Sequence, residues 1–188
     1  MTKSAGSADQ PAIGSADQLA RAFSLIRDVP DFPTPGVLFR DITPLLADAD
    51  AFASVIQAMA EPVKGTADLV VGVEARGFLL GAAVALAAGV GVVPVRKAGK
   101  LPEVAASQSY LLEYGAATLE LPAGTVRAGT RVYLVDDVLA TGGTLRACRD
   151  LVERAGGEVV GVGVLLELTA LGGRELLADH PPHALLRS

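Results

Sequence analysis

The apolar run Val132-Tyr133-Leu134-Val135 stops at two adjacent acids, Asp136 and Asp137, and after Val138, Leu139 and Ala140 the chain reads Thr141-Gly142-Gly143-Thr144. A short apolar run bounded by polar and glycine signals reads as a buried strand, and the stretch from Thr144 to Ala155, closed by Gly156-Gly157, reads as a helix. A strand whose carboxyl end opens through a glycine turn into a helix is the repeating unit of parallel, helix-covered sheets, and such sheets bind ligands at those strand ends. The same order occurs earlier in the chain. A strand over residues 69–73 is followed by a loop, Glu74-Ala75-Arg76-Gly77, a helix over 78–88 stopped by Gly89, and a strand near 92–95.

Other elements fit around this frame. Leu19, Phe23 and Ile26 mark a first short helix, residues 30–36 a turn-rich segment, and Phe52, Val55, Ile56, Met59 and Val63 the apolar stripe of a second helix. Residues 101–115 form a long polar segment, 118–121 alternate like an edge strand, and 159–166 form another buried strand. The expected fold is α/β, a central mostly parallel sheet flanked by helices, in a single domain over residues 19–188.

Composition agrees with that frame. The chain has 188 residues and is 51% hydrophobic but only 4% aromatic, so Val, Leu and Ala must fill both faces of the sheet. A net charge of -5 argues against nucleic acid as a partner and requires any phosphate binding to be local. The one cysteine, Cys148, allows no internal disulfide, is read as core, and is compatible with the cytoplasm. Residues 1–18 are rich in Ser, Ala, Gly, Asp and Gln, lack the pattern of a secretory signal, and are expected to form a disordered tail. Residues 78–95 carry no charge and approach the length of a membrane span, but Gly89, Gly91 and Pro94 divide them into a helix and a strand, so no membrane segment is expected.

The Thr-Gly-Gly-Thr turn has the chemistry of a monophosphate cradle. Gly142 and Gly143 admit close approach of the backbone, free N–H groups at a helix start favour an anion, and the hydroxyls of Thr141 and Thr144 add donors. Asp136 and Asp137 would repel a phosphate but accept hydrogen bonds from two sugar hydroxyls nearby, so phosphate and ribose are read together. A plain turn after a helix approach is the alternative for Gly-Gly alone, but buried strands rarely end in paired acids without a use for them. No Gly-x4-Gly-Lys-Ser/Thr occurs, and Gly89-x-Gly91 and Gly161-x-Gly163 lack the third glycine of a dinucleotide fingerprint.

The apolar strand, Asp-Asp and Thr-Gly-Gly-Thr together resemble the phosphoribosyl diphosphate motif of type I phosphoribosyltransferases. Pro33-Thr34-Pro35-Gly36-Val37-Leu38-Phe39-Arg40-Asp41-Ile42, Val73-Glu74-Ala75-Arg76-Gly77-Phe78 and Ser109-Tyr110-Leu111-Leu112-Glu113-Tyr114-Gly115 resemble, in order and spacing, the adenine-using family within them. The likeness runs from about residue 26 to 177; Ala98 and Leu111 depart from it in the loops. It implies the type I phosphoribosyltransferase fold with a small hood formed by about residues 30–44 and a flexible loop at about 101–115. The reaction it implies is purine salvage, adenine plus 5-phosphoribosyl 1-diphosphate giving AMP and diphosphate. Mg²⁺ is then bound mainly through the substrate, with Asp136 or Asp137 touching it through water, and the enzyme is a cytoplasmic homodimer.

The resemblance also assigns roles. Arg76, Lys97 and Lys100 match the ligands of the diphosphate, whose growing negative charge the site must neutralise. Glu74 and Ala75 belong to a loop of unusual peptide geometry that presents backbone N–H groups, and Arg96 acts on the neighbouring subunit's site. Ala140, Thr141, Gly142, Gly143 and Thr144 hold the 5′-phosphate. Phe39 stacks on the base while the backbones of Leu38 and Arg40 match adenine's amino group and N1, a pattern that a 6-oxo purine reverses. Glu113, beside Tyr114 on the mobile loop, is the general base that takes the proton from N9.

Taken one at a time, these residues have plainer readings. Residues 96–100 suit a solvated basic loop, Phe39 a core position and Glu113 an unpaired surface acid. His180 and His183 stand in a Pro-rich tail with no matching ligands. Two other functions share parts of the pattern. A transferase acting on xanthine, hypoxanthine or orotate has the sugar motif but differs at residues 35–42 and 113, and a ligand-sensing regulator needs a DNA-binding segment that residues 1–18 do not supply.

Overall fold

Ser15 starts the first helix. Its hydroxyl accepts the Gln18 amide at 3.4 Å while the Gln18 side chain accepts the Ser15 amide at 3.3 Å, a reciprocal cap that begins α1 (Ala16–Ser24) inside the expected tail. The computed structural model describes residues 14–111 and 116–188, so the rest of the tail, Glu113 and Tyr114 lie outside the described residues. The chain divides into two compact units, Met1–Val55 and Ile56–Ser188.

In the first unit the turn-rich segment is the head of a hairpin. Strands β1 (Arg27–Pro30) and β2 (Leu38–Asp41) pair antiparallel, with Arg27 opposite Asp41 and Asp28 opposite Arg40. Both pairs close as ion pairs, at 2.6 and 2.5 Å, and opposite charges facing across a ladder favour one register. Asp31, with φ 57°, accepts the Gly36 amide at 2.7 Å and folds the chain back. Helix α2 (Thr43–Ala47) precedes α3 (Ala49–Ala60), which begins in the first unit, ends in the second, and is capped at its start by Asp48 accepting from the Ala51 amide at 2.9 Å.

The second unit is built on a seven-stranded sheet. In chain order come β3 (Leu69–Val73), α4 (Arg76–Ala88), β4 (Gly91–Lys97), β5 (Val104–Leu111), β6 (Ala116–Pro122), β7 (Arg131–Leu139), α5 (Gly143–Arg154), β8 (Glu158–Glu167) and β9 (His183–Arg187). The spatial order is β5-β6-β4-β3-β7-β8-β9. Strands β4, β3, β7, β8 and β9 run parallel, and β6 and β5 are added antiparallel. The mostly parallel sheet read from the sequence is therefore present.

Helices cover both faces because side chains alternate along each strand. Val71 and Val73 join Leu145, Cys148 and Leu151 of α5 in the main core. Val70 and Gly72 face the other way, where α4 packs so closely that a Cβ on Gly81 would stand 3.1 Å from the Gly72 Cα. Cys148 is fully buried in the main core, as expected. Among the described residues no helix is long and apolar enough to cross a membrane.

Three elements differ from the sequence reading. β7 does not break at the acids but continues to Leu139, because Asp136, Val138 and Leu139 pair with Val164, Leu166 and Glu167 of β8; a ladder depends on backbone groups, which Asp supplies as well as Val. β6 is not an edge strand, since β5 covers it, and β5 was unreadable because Ala-Ala-Ser-Gln-Ser offers no alternation. β9 follows Pro181-Pro182, which masked a strand beginning at His183.

Candidate active site

The carboxyl end of β7 delivers Asp136 and Asp137, and the chain then turns at Gly142 into α5. Gly142 has φ 83° and serves as the helix N-cap with no side-chain cap bond, so the first-turn amides of α5 are offered to an outside acceptor. Val138, Leu139, Ala140, Thr141, Gly142, Thr144 and Leu145 line an open cavity of about 60 Å³ there. One water requires roughly 10–15 Å³, so the space suits a small polyatomic anion.

Asp136 and Asp137 are 8% and 5% exposed. The Asp137 amide donates to Asp136 Oδ1 at 2.9 Å, and Arg76 Nε lies 2.8 Å from Asp137 Oδ2. Burial pushes both acids above the usual carboxylate range; the neighbouring Asp137 charge adds to this at Asp136, while Arg76 opposes it at Asp137. Arg76 is the first residue of α4, and the following Gly77 lets that helix end close on β7: a Cβ there would stand 2.9 Å from Asp136 Oδ1 and 3.0 Å from the Val135 carbonyl. The small residue thus brings cation and acids together.

A second charged cluster sits beside β3. The Glu74–Ala75 peptide bond is cis. The Glu74 carboxylate accepts from the Lys97 amide at 2.8 Å, from Arg96 Nε at 3.2 Å and from Lys100 Nζ. Burial raises the Glu74 pKa, but the bonds from Lys100, the Lys97 amide and Arg96 outweigh it and hold the acid at about 2. Arg96 also stacks on Phe78, its guanidinium carbon 5.6 Å from the ring centre. The Lys97 side chain is exposed. The residues expected to hold diphosphate therefore gather in two groups, Arg76 on Asp137, and Lys97 and Lys100 around Glu74, where Arg96 joins them.

Leu38, Phe39 and Arg40 follow one another on β2 in the first unit. Leu38 is half exposed, Phe39 meets Phe32 edge to face at 5.1 Å, and Arg40 pairs with Asp28. Glu113 and Tyr114 fall outside the described residues. The sequence reading missed Tyr110, whose hydroxyl accepts from Thr144 Oγ1 at 3.3 Å and so links β5 to the start of α5; only a fold can place a side chain beside a partner thirty-four positions away.

The donor set also bears on Mg²⁺. Two adjacent carboxylates are hard oxygen donors suited to that ion, and among the described residues no group of three or more His, Cys, Asp or Glu is placed to hold a metal. Such a pair fits an ion held mainly by substrate oxygens and reached by one of the carboxylates through water.

Comparisons with known proteins identify the family. A family model described as "Phosphoribosyl transferase domain" matches residues 41–179. The adenine phosphoribosyltransferase of Saccharopolyspora erythraea is 63% identical over 169 residues, which cover 90% of this chain and 92% of that protein. Among solved structures, the adenine phosphoribosyltransferase of Rhodothermus marinus superimposes with a TM-score of 0.87 at 48% identity, covering 93% of this chain and 100% of the other. The Saccharomyces cerevisiae enzyme, solved with an imino-altritol bisphosphate and adenine, has a TM-score of 0.86 at 37% identity, with 92% and 100% covered.

Proposed function

The chain belongs to the adenine phosphoribosyltransferase family, pentosyltransferases of the type I fold, and on that premise we propose how its residues carry out the family's reaction. Adenine and 5-phosphoribosyl 1-diphosphate give AMP and diphosphate, a step of purine salvage. The glycine-capped start of α5 beside the buried Asp136–Asp137 pair carries the reading, because it joins an anion site to two diol acceptors at one strand end.

In the proposed mechanism, Ala140, Thr141, Gly142, Gly143 and Thr144 receive the 5′-phosphate, and Asp136 and Asp137 accept from the ribose hydroxyls. Arg76, Lys97 and Lys100, with backbone N–H groups of the Glu74–Ala75 segment, stabilise the departing diphosphate as C1 becomes cation-like. Leu38, Phe39 and Arg40 hold adenine, and Glu113 accepts the N9 proton as N9 attacks C1. Residues 101–115, including Tyr114, close over the substrates and keep water from that carbon. Mg²⁺, bound mainly through substrate oxygens with Asp136 or Asp137 reaching it through water, supplies further charge neutralisation to the diphosphate.

The working form is proposed to be a cytoplasmic homodimer in which Arg96 serves the partner's site. Two features support this. Leu79 and Leu86, 55% and 84% exposed, lie two turns apart on one face of α4 and leave apolar area for a partner, and the lone, buried Cys148 needs no oxidising compartment. Sedimentation at micromolar concentration tests the assembly. The activity is tested by product formation from 5-phosphoribosyl 1-diphosphate and Mg²⁺ with each nucleobase. Adenine is expected to be preferred over hypoxanthine by roughly 10⁴-fold, the scale set by leaving buried polar groups unpaired; turnover of hypoxanthine but not adenine would refute the base assignment.

A further inference from the structure

Gly173 lies directly against the backbone of residues 140–142. A Cβ on Gly173 would stand 2.1 Å from the Ala140 carbonyl oxygen, 2.8 Å from the Gly142 nitrogen and 2.9 Å from the Thr141 carbonyl carbon. Reciprocally, a Cβ on Gly142 would stand 2.5 Å from the Gly173 oxygen. All four are backbone atoms, so no rotamer change relieves either clash. The two glycines allow main chain to lie directly on main chain, and the segment carrying Gly173 shapes the loop.

That segment is fixed by charge. Arg174, the next residue, donates from Nε to Glu167 Oε1 at 2.8 Å and from its terminal nitrogen to Oε2, while Arg187 Nε lies 3.1 Å from Oε2. Glu167 is 4% exposed and ends β8, paired with Leu139 on one side and Arg187 on the other. The Leu168 amide donates to the Leu139 carbonyl at 2.9 Å, and the Ser188 amide to the Glu167 carbonyl at 3.0 Å. A carboxylate this buried is costly unless its oxygens are fully paired, and here the pairing joins the ends of β7, β8 and β9 to the residue that follows Gly173.

We propose that Glu167, Arg174 and Arg187 form a clamp that positions Gly173, and through it the amides of residues 140–144, for the 5′-phosphate. None of the clamp residues touches substrate; they are positioning residues. The inference rests on the reading of residues 140–144 as the phosphate site and extends the site to the last strand of the chain.

The test uses the full chain with Arg174→Ala, Arg174→Lys and, as a control, Arg131→Ala, which breaks an ion pair with Asp68 at the opposite end of β7. Gly173→Ala forces a backbone shift and is a poorer probe. Three quantities are measured: the Kd for ribose 5-phosphate, the KM for each substrate, and Tm. Arg174→Ala is expected to raise the Kd and the KM for 5-phosphoribosyl 1-diphosphate by about tenfold or more, the scale of a small misplacement. The KM for adenine stays unchanged and Arg174→Lys restores part of the loss. Arg131→Ala is expected to lower Tm without moving either phosphate reading. Unchanged ribose 5-phosphate binding in Arg174→Ala, or equal weakening in Arg131→Ala, would overturn the clamp. Failure of the wild-type chain to bind ribose 5-phosphate would overturn instead the phosphate reading on which the clamp depends.

Discussion

Arg76 Nε stands 2.8 Å from Asp137 Oδ2, so the first residue of α4 and the second acid of β7 pair across two neighbouring strand ends. Burial raises the Asp137 pKa and the Arg76 charge opposes that rise, and the contact holds the expected diphosphate and ribose ligands side by side.

Asp137→Asn removes one acceptor for the ribose diol and leaves Arg76 without that charge. A hydrogen bond to a charged group contributes about 1.5–3 kcal/mol, so the KM for 5-phosphoribosyl 1-diphosphate should rise roughly ten- to a hundredfold, with little change for adenine. Steady-state kinetics with each substrate varied in turn measure this; an unchanged KM for the sugar substrate would contradict the role.

Glu113→Ala removes the proposed proton acceptor and should lower kcat by about 10²–10⁴, while 5-phosphoribosyl 1-diphosphate binds as before. Equal turnover in wild type and variant would remove the base assignment.

Glu74 is held at about 2 against an ordinary 4.5 by Lys100, the Lys97 amide and Arg96. A folded-state pKa below the unfolded value means that the stabilisation is present above about 4.5 and disappears as pH falls toward 2. Glu74→Gln should therefore have a lower Tm than wild type near neutral pH, and the gap should narrow at about pH 3. A gap of the same size at both pH values would show that the ion cluster is not its source.

Much of the fold was legible because the buried strands announce themselves: Leu69, Val70, Val71 and Val73 allow little but a core strand, and the Asp136–Thr144 run marks a strand end, a turn and a helix start. The limits were equally physical. β7 outran its apolar part because backbone pairing tolerates Asp136 and Asp137, and β5 gave no alternation from which to read its pairing with β6. At the site, the residue types along each loop were readable, but the partnership of Glu74 with Lys100 and that of Tyr110 with Thr144 join positions far apart in the chain. Gly173 carried no signal at all, since a glycine's reason for being small lies in what the fold lays against it.

Gly142→Ala puts a side chain at φ 83° and 2.5 Å from the Gly173 oxygen. The left-handed conformation alone costs about 1–2 kcal/mol, which for a chain of this size lowers Tm by several degrees, and the clash adds to it. Thermal denaturation reads the effect; a Tm equal to wild type would mean that the turn does not need glycine.

The measurement that bears most directly on the whole account is a crystal structure of the chain with AMP. We expect the 5′-phosphate within hydrogen-bonding distance of the amides at the start of α5, with Thr141 and Thr144 hydroxyls against it and the ribose diol on Asp136 and Asp137. A nucleotide seated elsewhere, or a phosphate turned away from residues 140–144, would contradict it.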